Sequence, residues 1–256
     1  MNIFETFSNP AQFTALSRAL APWFFVIALC LAIIGLVIGL FISPEDYQQG
    51  HTVRIMYVHV PAAWMATMCY TFIAVMSGIA FVWRHSVADQ AARAAAPIGL
   101  AMTGLALFTG ALWGKPTWGA WWVWDARLTS VLVLFFIYLA YMAIWESVSD
   151  KAKAAKFARI LALLGFVNIP IIKFSVDWWN SLHQPASLLK ISGPTIQGSM
   201  LAALLCMIFA YMFFFGWAVL IRTESYILQA RLNRRQERTA NKLNPLNDNK
   251  TEAGDK

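Results

Sequence analysis

The sequence predicts an all-α integral membrane protein, a bundle of six transmembrane helices with a short amphipathic tryptophan-rich segment at one end. Hydrophobic residues make up 59% of the 256 residues, whereas soluble domains contain about 45–50%. Charged residues make up only 13% and gather at the ends of long apolar runs. Six of these runs approach the roughly 20 apolar residues that a helix needs to cross a bilayer.

The apolar runs place the predicted spans in chain order. Residues 1–20 form a short polar-to-amphipathic lead-in. Spans are then expected at about 21–42, 58–82, 96–113, 128–147, 160–176 and 198–221. The fifth run contains Asn168, Pro170 and Lys173, so we expect it to kink and to face protein or a cavity.

The distribution of Lys and Arg predicts the orientation. With six spans, both termini lie on one side, and fifteen of the twenty Lys and Arg residues fall on that side. Because cytoplasmic loops are enriched in Lys and Arg, both termini are expected in the cytoplasm. The chain then divides into a cytoplasmic segment at 1–20, a membrane domain at 21–221 and a cytoplasmic, largely disordered basic tail at 222–256.

Residues 113–127 are expected on the outer face, and this segment contains five of the twelve tryptophans. Gly114, Pro116 and Gly119 predict that the preceding helix ends near Trp113. If a short helix resumes after Pro116, one stripe at helical spacing collects Trp118, Trp121, Trp122 and Asp125, with Trp124 beside it. We interpret this segment as a platform for a flat apolar ligand. The alternative is an interfacial aromatic belt, although five tryptophans exceed what a belt needs.

Two histidines flank the tryptophan segment. His59 lies at the outer end of the second span, and His183 lies just beyond the fifth. Opposed imidazoles beside a flat aromatic surface suit six-coordinate haem iron, so both are predicted axial ligands. Arg54, Arg127 and Lys115 supply cations for the haem propionates, and Arg binds carboxylates in bidentate geometry.

Each of these residues also has a structural interpretation. A single histidine near a span end is more often a polar interface residue than a ligand. Trp178 and Trp179 could belong to an aromatic belt, although they adjoin His183. Asp125 could pair with Arg127 or cap a helix.

Other classes of function have little support. Cys30, Cys69 and Cys206 lie in apolar runs, and the sequence contains no CxxC or CxxCH, which argues against a disulfide framework, a zinc site or covalent haem. Despite the net charge of +7, no basic stripe lies on a foldable soluble module, and eight of the twenty Lys and Arg residues lie in the tail, so nucleic-acid binding is not expected. The outer face offers no nucleophile–base pair, so we do not expect an enzyme.

Two segments carry a family resemblance. Residues 113–129, WGKPTWGAWWVWDARLT, resemble the WWD signature of a superfamily of haem-handling membrane proteins. The length and residues 168–184, NIPIIKFSVDWWNSLHQ, make the chain similar to the cytochrome c maturation protein C (CcmC) family within it. The resemblance covers nearly the whole chain except the tail.

That resemblance implies a multi-pass protein of the bacterial inner membrane. Family members hold haem b non-covalently at the periplasmic surface, here between His59 and His183 over the tryptophan segment. They present it to the haem chaperone CcmE. The ATP-binding cassette subunits CcmA and CcmB and the small protein CcmD are the further partners implied.

Two rival functions stay open at this point. A haem b subunit of a quinone-linked redox complex would usually place its histidine pair within bundle helices, whereas these two lie at span ends. A transporter that moves haem through itself would have polar groups at the membrane midplane, where only Asn168 and Lys173 come near.

Overall fold

Helices account for the regular structure in the part of the chain described by the computed structural model, residues 9–179, 181–183 and 196–243. The α-helices are α1 (Pro10–Val37), α2 (Met56–Trp83), α3 (Ser86–Trp118), α4 (Ala126–Ser147), α5 (Lys151–Gly165), α6 (Asn168–Trp178) and α7 (Gly198–Leu243). A π-helical turn, Ile38–Ile42, extends α1, and a 3-10 helix, His51–Ile55, leads into α2.

These helices form six stretches, within the described residues, that are long and apolar enough to cross a membrane. The stretches are Pro10–Ile42, His51–Trp83, Ser86–Trp118, Ala126–Ser147, Lys151–Trp178 and Gly198–Ala240. The prediction of an all-α bundle with six spans is therefore confirmed. Most stretches are longer than predicted, because polar residues at both ends of the apolar runs remain helical.

The first and last helices reach into regions expected to be terminal segments. The Asn9 side chain accepts a hydrogen bond from the backbone N–H of Ala11 at 2.9 Å, and Pro10 follows it, so α1 begins inside the lead-in. Helix α7 continues to Leu243, so the start of the expected tail is helical. Residues 1–8 and 244–256 lie outside the described part, and the domain boundaries stay a prediction.

The fifth span is interrupted where its polar residues begin. Helix α5 ends at Gly165, and α6 starts at Asn168 after a turn at 166–167. The Asn168 amide is buried and donates to the Ser130 carbonyl of α4 at 2.9 Å. The expected kink, facing protein, is present, and a hydrogen bond to a neighbouring helix compensates for the polar group.

Aromatic packing fixes α2, α3 and α4 against one another at the centre of the bundle. The rings of Tyr70 and Tyr138 meet edge to face at 5.3 Å, and the Tyr138 hydroxyl donates to the Ala66 carbonyl at 2.7 Å. Helices α3 and α4 approach closely at Gly99, where a Cβ would collide with the Tyr138 ring. This core holds the ends of the helices in fixed relation.

Polar side chains collect at both ends of the bundle. One end, named here the ion-pair end, contains Asp89, Arg93, Glu146 and Arg159. Asp89 and Arg159 form a two-point ion pair between α3 and α5, and Arg93 donates to Glu146 of α4 at 3.2 Å. The other end, named the histidine end, contains the residues predicted to form the site.

Candidate functional site

The tryptophan segment differs from its predicted backbone. Helix α3 does not end near Trp113 but continues through Pro116 to Trp118. It stops at Gly119, whose φ of +77° is left-handed and whose N–H bonds the Lys115 carbonyl at 3.0 Å. Glycine adopts this conformation without a steric penalty and so ends the helix. The predicted end of α3 near Trp113 was therefore wrong.

The expected short amphipathic helix after Pro116 is also absent from the described structure. Residues 119–125 have no regular helix, and α4 begins directly after them. Asp125 caps α4, since its Oδ1 atom accepts from the Leu128 N–H at 2.7 Å. With a left-handed glycine at one end and a helix cap at the other, the chain crosses from α3 to α4 in an irregular conformation. The single stripe predicted for Trp118, Trp121, Trp122 and Asp125 is wrong.

His59 packs against the C-terminal turns of α3. Its imidazole meets the Trp113 ring edge to face at 5.6 Å, and its Nδ1 atom lies 3.1 Å from the Thr109 hydroxyl. The ring also lies against Gly110 of α3, which has no side chain. A Cβ at that position would lie 3.0 Å from the His59 Cε1 atom. Trp113 is fixed in turn, since its Nε1 donates to the Gln49 side chain at 2.7 Å.

His183 is held by a carboxylate and a tryptophan. Its Nδ1 atom lies 3.0 Å from Oδ2 of Asp125, and the Ser181 hydroxyl donates to the same carboxylate oxygen at 2.5 Å. The Trp118 ring meets the imidazole edge to face, with 4.9 Å between the ring centroids. The His183 side chain is 20% exposed and Asp125 is 6% exposed, so the contact is shielded from solvent.

The charges at this end follow from burial and hydrogen bonding. Burial would raise the pKa of the Asp125 carboxyl, but hydrogen bonds from Ser181, the Leu128 N–H and His183 together hold it below its usual value. Burial lowers the pKa of the His183 imidazole, against the opposing effect of Asp125. At neutral pH the pair is therefore a carboxylate beside a neutral imidazole.

The two histidines lie on the same end of α3. Their ring partners on α3, Trp113 and Trp118, are five residues apart, or about 7.5 Å along the helix axis at the usual rise. The structure thus places two contact groups at this end of α3, His59 with Trp113 and His183 with Trp118 and Asp125.

The three predicted cations differ in the hydrogen bonds that they already make. Arg127 donates through Nε to the Ser175 hydroxyl at 3.2 Å and reaches the Lys173 carbonyl at 3.5 Å, which ties it to α6. Lys115 donates to the Gly119 carbonyl at 3.0 Å. The Nε atom of Arg54 is buried and has no hydrogen-bond partner within the described residues. Arg54 is therefore the cation with a buried donor left to bind a ligand.

The remaining predicted tryptophans lie outside the two contact groups of His59 and His183. Trp121 and Trp124 are 56% and 75% exposed, and Trp122 contacts Trp124 at 5.4 Å. The buried Nε1 atom of Trp122 lacks a hydrogen-bond partner among the described residues. Trp178 stacks on Phe174 of its own helix and contacts Trp179, and both are about half exposed. None of the described aromatic contacts joins these residues to either histidine.

Sequence reasoning missed Thr109 and Ser181. Thr109 is separated from His59 by fifty residues, and only its position four residues before Trp113, on the same helical face, pointed to the site. Ser181 lies two residues before His183 and also bonds its backbone N–H at 3.2 Å. Residue 180 and residues 184–195 lie outside the described part.

The chain is similar over most of its length to known proteins. The family model described as "CcmC: Heme exporter protein C" matches residues 3–238. Heme exporter protein C of Bradyrhizobium diazoefficiens is 47% identical over 92% of this chain and 89% of its own length. Heme exporter protein C of Escherichia coli strain K12 is 43% identical over 81% of this chain and 83% of its own.

A plant relative extends the similarity beyond bacteria. A protein of Marchantia polymorpha, named as a ccmC-like mitochondrial protein of cytochrome c biosynthesis, is 41% identical over 81% of this chain and 88% of its own length. The family model and these identities agree over nearly all of the six-span region. With its six membrane-spanning stretches, the chain belongs to the CcmC, or heme exporter protein C, family.

Proposed function

We propose that this protein binds haem at the periplasmic face of the inner membrane and delivers it to the chaperone CcmE for c-type cytochrome maturation. The relatives are named heme exporter protein C, and one is named for cytochrome c biosynthesis. The single observation that carries the proposal is that two histidines, each packed against a tryptophan of α3, lie at the same end of that helix.

The histidine end has the donors that haem requires. His59 and His183 each have Nδ1 engaged in a side-chain contact, which leaves Nε2 to bind iron. Trp118 and Trp113 supply apolar ring surface, with Trp121, Trp122, Trp124, Trp178 and Trp179 as exposed or half-buried aromatic surface around them. The buried Nε of Arg54 is a partner for one propionate, and the remaining donors of Arg127 are a partner for the other.

The haem is proposed to be haem b, bound non-covalently as cargo and not as a resident cofactor. The site contains no CxxCH for covalent attachment, and the chemistry of covalent transfer would belong to the haem vinyl group and the partner's histidine. The protein is therefore proposed to act without catalysing a reaction of its own. CcmA, CcmB and CcmD are the proposed further partners, with both termini in the cytoplasm.

The rival of a quinone-linked haem b subunit is less well supported by the geometry. Electron-transfer haems in helix bundles are usually ligated from bundle helices. Here His59 lies within α2, but His183 lies beyond the end of α6. A ligand supplied from beyond the span end suits delivery better than it suits redox turnover.

The test is haem binding by purified full-length protein and three alanine variants. His59→Ala and His183→Ala should each lose the bound haem or its two-imidazole spectrum. His51→Ala is the matched control, because His51 is an exposed residue at the start of the 3-10 helix and contacts Glu45; the variant should bind haem normally. Unchanged spectra and haem content in both test variants would remove the axial-ligand assignment.

Delivery is tested separately with vesicles that contain the wild-type protein loaded with haem. Addition of the soluble domain of the chaperone should move haem from the vesicles to that domain. Haem that stays with the protein, or that reduces added quinone in steady turnover, would favour the redox rival.

A further inference from the structure

We propose that the two histidines are unequal ligands, with Asp125 making His183 the retained ligand and Thr109 making His59 the ligand released first. This inference rests on the proposed function, since it concerns how the site holds and gives up haem. It concerns two positioning residues, neither of which touches the iron. The argument follows from what each Nδ1 atom contacts.

Thr109 determines the tautomer of His59. Its hydroxyl donates its single proton to a backbone carbonyl of its own helix, that of Leu105, at 2.6 Å. The hydroxyl oxygen can therefore only accept a hydrogen bond from His59, whose Nδ1 lies 3.1 Å away. His59 is thus protonated at Nδ1, and its Nε2 is the ligating atom.

Asp125 determines the tautomer of His183 in the same way but with a full charge. The carboxylate is only an acceptor, so the 3.0 Å contact puts the proton on Nδ1 of His183 and leaves Nε2 to bind iron. Leu128 N–H and the Ser181 hydroxyl hold the carboxylate in position from two other directions. The carboxylate cannot rotate away when the ligand binds.

The two partners give the imidazoles different donor strength. A carboxylate bonded to Nδ1–H raises the basicity of a ligating histidine, because it stabilises positive charge on the ring. A neutral hydroxyl that already donates to a carbonyl does this far less. The iron–His183 bond is therefore the stronger of the two.

The contacts of each ring indicate the same order of release, although His59 lies within α2 and His183 lies beyond the end of α6. His183 meets Trp118 edge to face and contacts the carboxylate of Asp125, which is 6% exposed. His59 contacts neutral groups, namely one hydroxyl, the Ala106 carbonyl and the edge of Trp113, and fills the gap at Gly110. When an acceptor supplies its own ligand, His59 leaves first and the iron stays on His183 until the acceptor's bond has formed.

The experiment uses full-length protein in detergent, loaded with haem, reduced and exposed to carbon monoxide. Carbon monoxide replaces the weaker ligand, and flash photolysis then leaves iron on the retained histidine, whose iron–histidine stretching band is read by resonance Raman spectroscopy. Asp125→Asn should shift this band to lower frequency, whereas Thr109→Val should leave it in place. Asparagine caps a helix as well as aspartate does, so the variant keeps the start of α4.

Haem affinity gives an independent readout. Asp125→Asn should weaken haem binding by about 10- to 100-fold, as loss of an outer-shell partner typically does. Thr109→Val should weaken it by less than about tenfold, since a neutral hydrogen bond contributes little. Thr109→Ser, which keeps the hydroxyl, is the control and should match wild type.

The outcomes separate this inference from the proposed function. A band that moves with Thr109→Val but not with Asp125→Asn, or that moves with neither, overturns the inequality while two-imidazole haem remains. A wild-type protein that binds no haem, or whose spectrum depends on neither histidine, overturns the proposed function itself.

Discussion

At the ion-pair end of the bundle, charged side chains bind each other, whereas at the histidine end a carboxylate and a hydroxyl position two imidazoles. The Arg93 guanidinium lies between the rings of Trp145 and Tyr226, at 5.0 Å and 4.3 Å, and also donates to Glu146. Arg159 donates twice to Asp89. Such groups satisfy one another across three helices and hold them together.

The histidine end is arranged in the opposite way. Its polar groups position two imidazoles but leave the Nε atom of Arg54 and the Nε1 atom of Trp122 without partners in the described structure. The ion-pair end also has such an atom among the described residues, the buried Nε1 of Trp145, so the difference lies in what the charged groups contact. One end joins helices to each other, and the other positions the two imidazoles that we propose to bind haem.

Breaking the ion-pair end should have the largest effect on stability. Asp89→Ala leaves the Arg159 guanidinium in a largely buried site without its partner, which should cost about 3–5 kcal/mol of unfolding free energy. Unfolding in mild detergent, followed by circular dichroism, measures this loss. The haem spectrum of the protein that stays folded should be normal; a change in axial ligation at equal stability would contradict the division between the two ends.

Arg54→Gln tests the histidine end without changing a helix core. Removing the guanidinium, whose buried Nε has no partner among the described residues, should weaken haem binding by about 1.5–3 kcal/mol, the usual contribution of a hydrogen bond to a charged group. Stability without haem should not fall, because the Arg54 Nε has no partner to lose among the described residues. Haem titration and thermal unfolding provide the two measurements, and a loss of stability with unchanged affinity would contradict the assignment.

Gly110→Ala tests the histidine end by displacing the imidazole of His59, one of the proposed iron ligands. The added Cβ would lie 3.0 Å from His59 Cε1, so the imidazole must shift, and overpacking of this kind costs about 1–3 kcal/mol. We expect weaker haem binding and an altered spectrum. Gly104→Ala is the matched control on the same helix, since its Cβ would meet Phe135 at 3.4 Å and not a histidine. Equal spectra in the two variants would contradict the position of His59.

The smallest expected effect is on the pH dependence of stability without haem. Burial holds the pKa of His183 below its ordinary value, which is about 6.5 in an unfolded chain. Below that pH the unfolded chain binds more protons than the folded one, so stability falls as the pH drops through this window. His183→Ala should remove that part of the slope between about pH 5 and 7. If stability depended more steeply on pH in the variant than in the wild type, the predicted direction of the effect would be wrong.

The membrane bundle could be predicted because long apolar runs have few alternatives in a bilayer. The geometry of the candidate site was only partly predictable. The positions of His59, His183 and Asp125 near the tryptophan segment placed them at one end of the bundle, where the structure has them, but the backbone of that segment was not predicted. A left-handed Gly119 ends α3 five residues later than Pro116 and Gly114 suggested, and the sequence pattern does not reveal which glycine adopts a positive φ.

Long-range pairing was the other limit. Thr109 bonds His59 across fifty residues, and Arg127 bonds Ser175 across forty-eight. Both depend on how α3 packs on α2 and how α4 packs on α6, which a single sequence does not specify. The engagement of Arg127 by α6, in contrast to the unpaired Arg54, therefore became visible only in three dimensions.

The most direct measurement is the electron paramagnetic resonance spectrum of oxidised, haem-loaded wild-type protein. Two imidazoles on one iron give a low-spin signal, and this signal should disappear in His59→Ala and in His183→Ala but persist in His51→Ala. A high-spin signal in the wild type, or a low-spin signal that survives both substitutions, would contradict ligation by these two histidines.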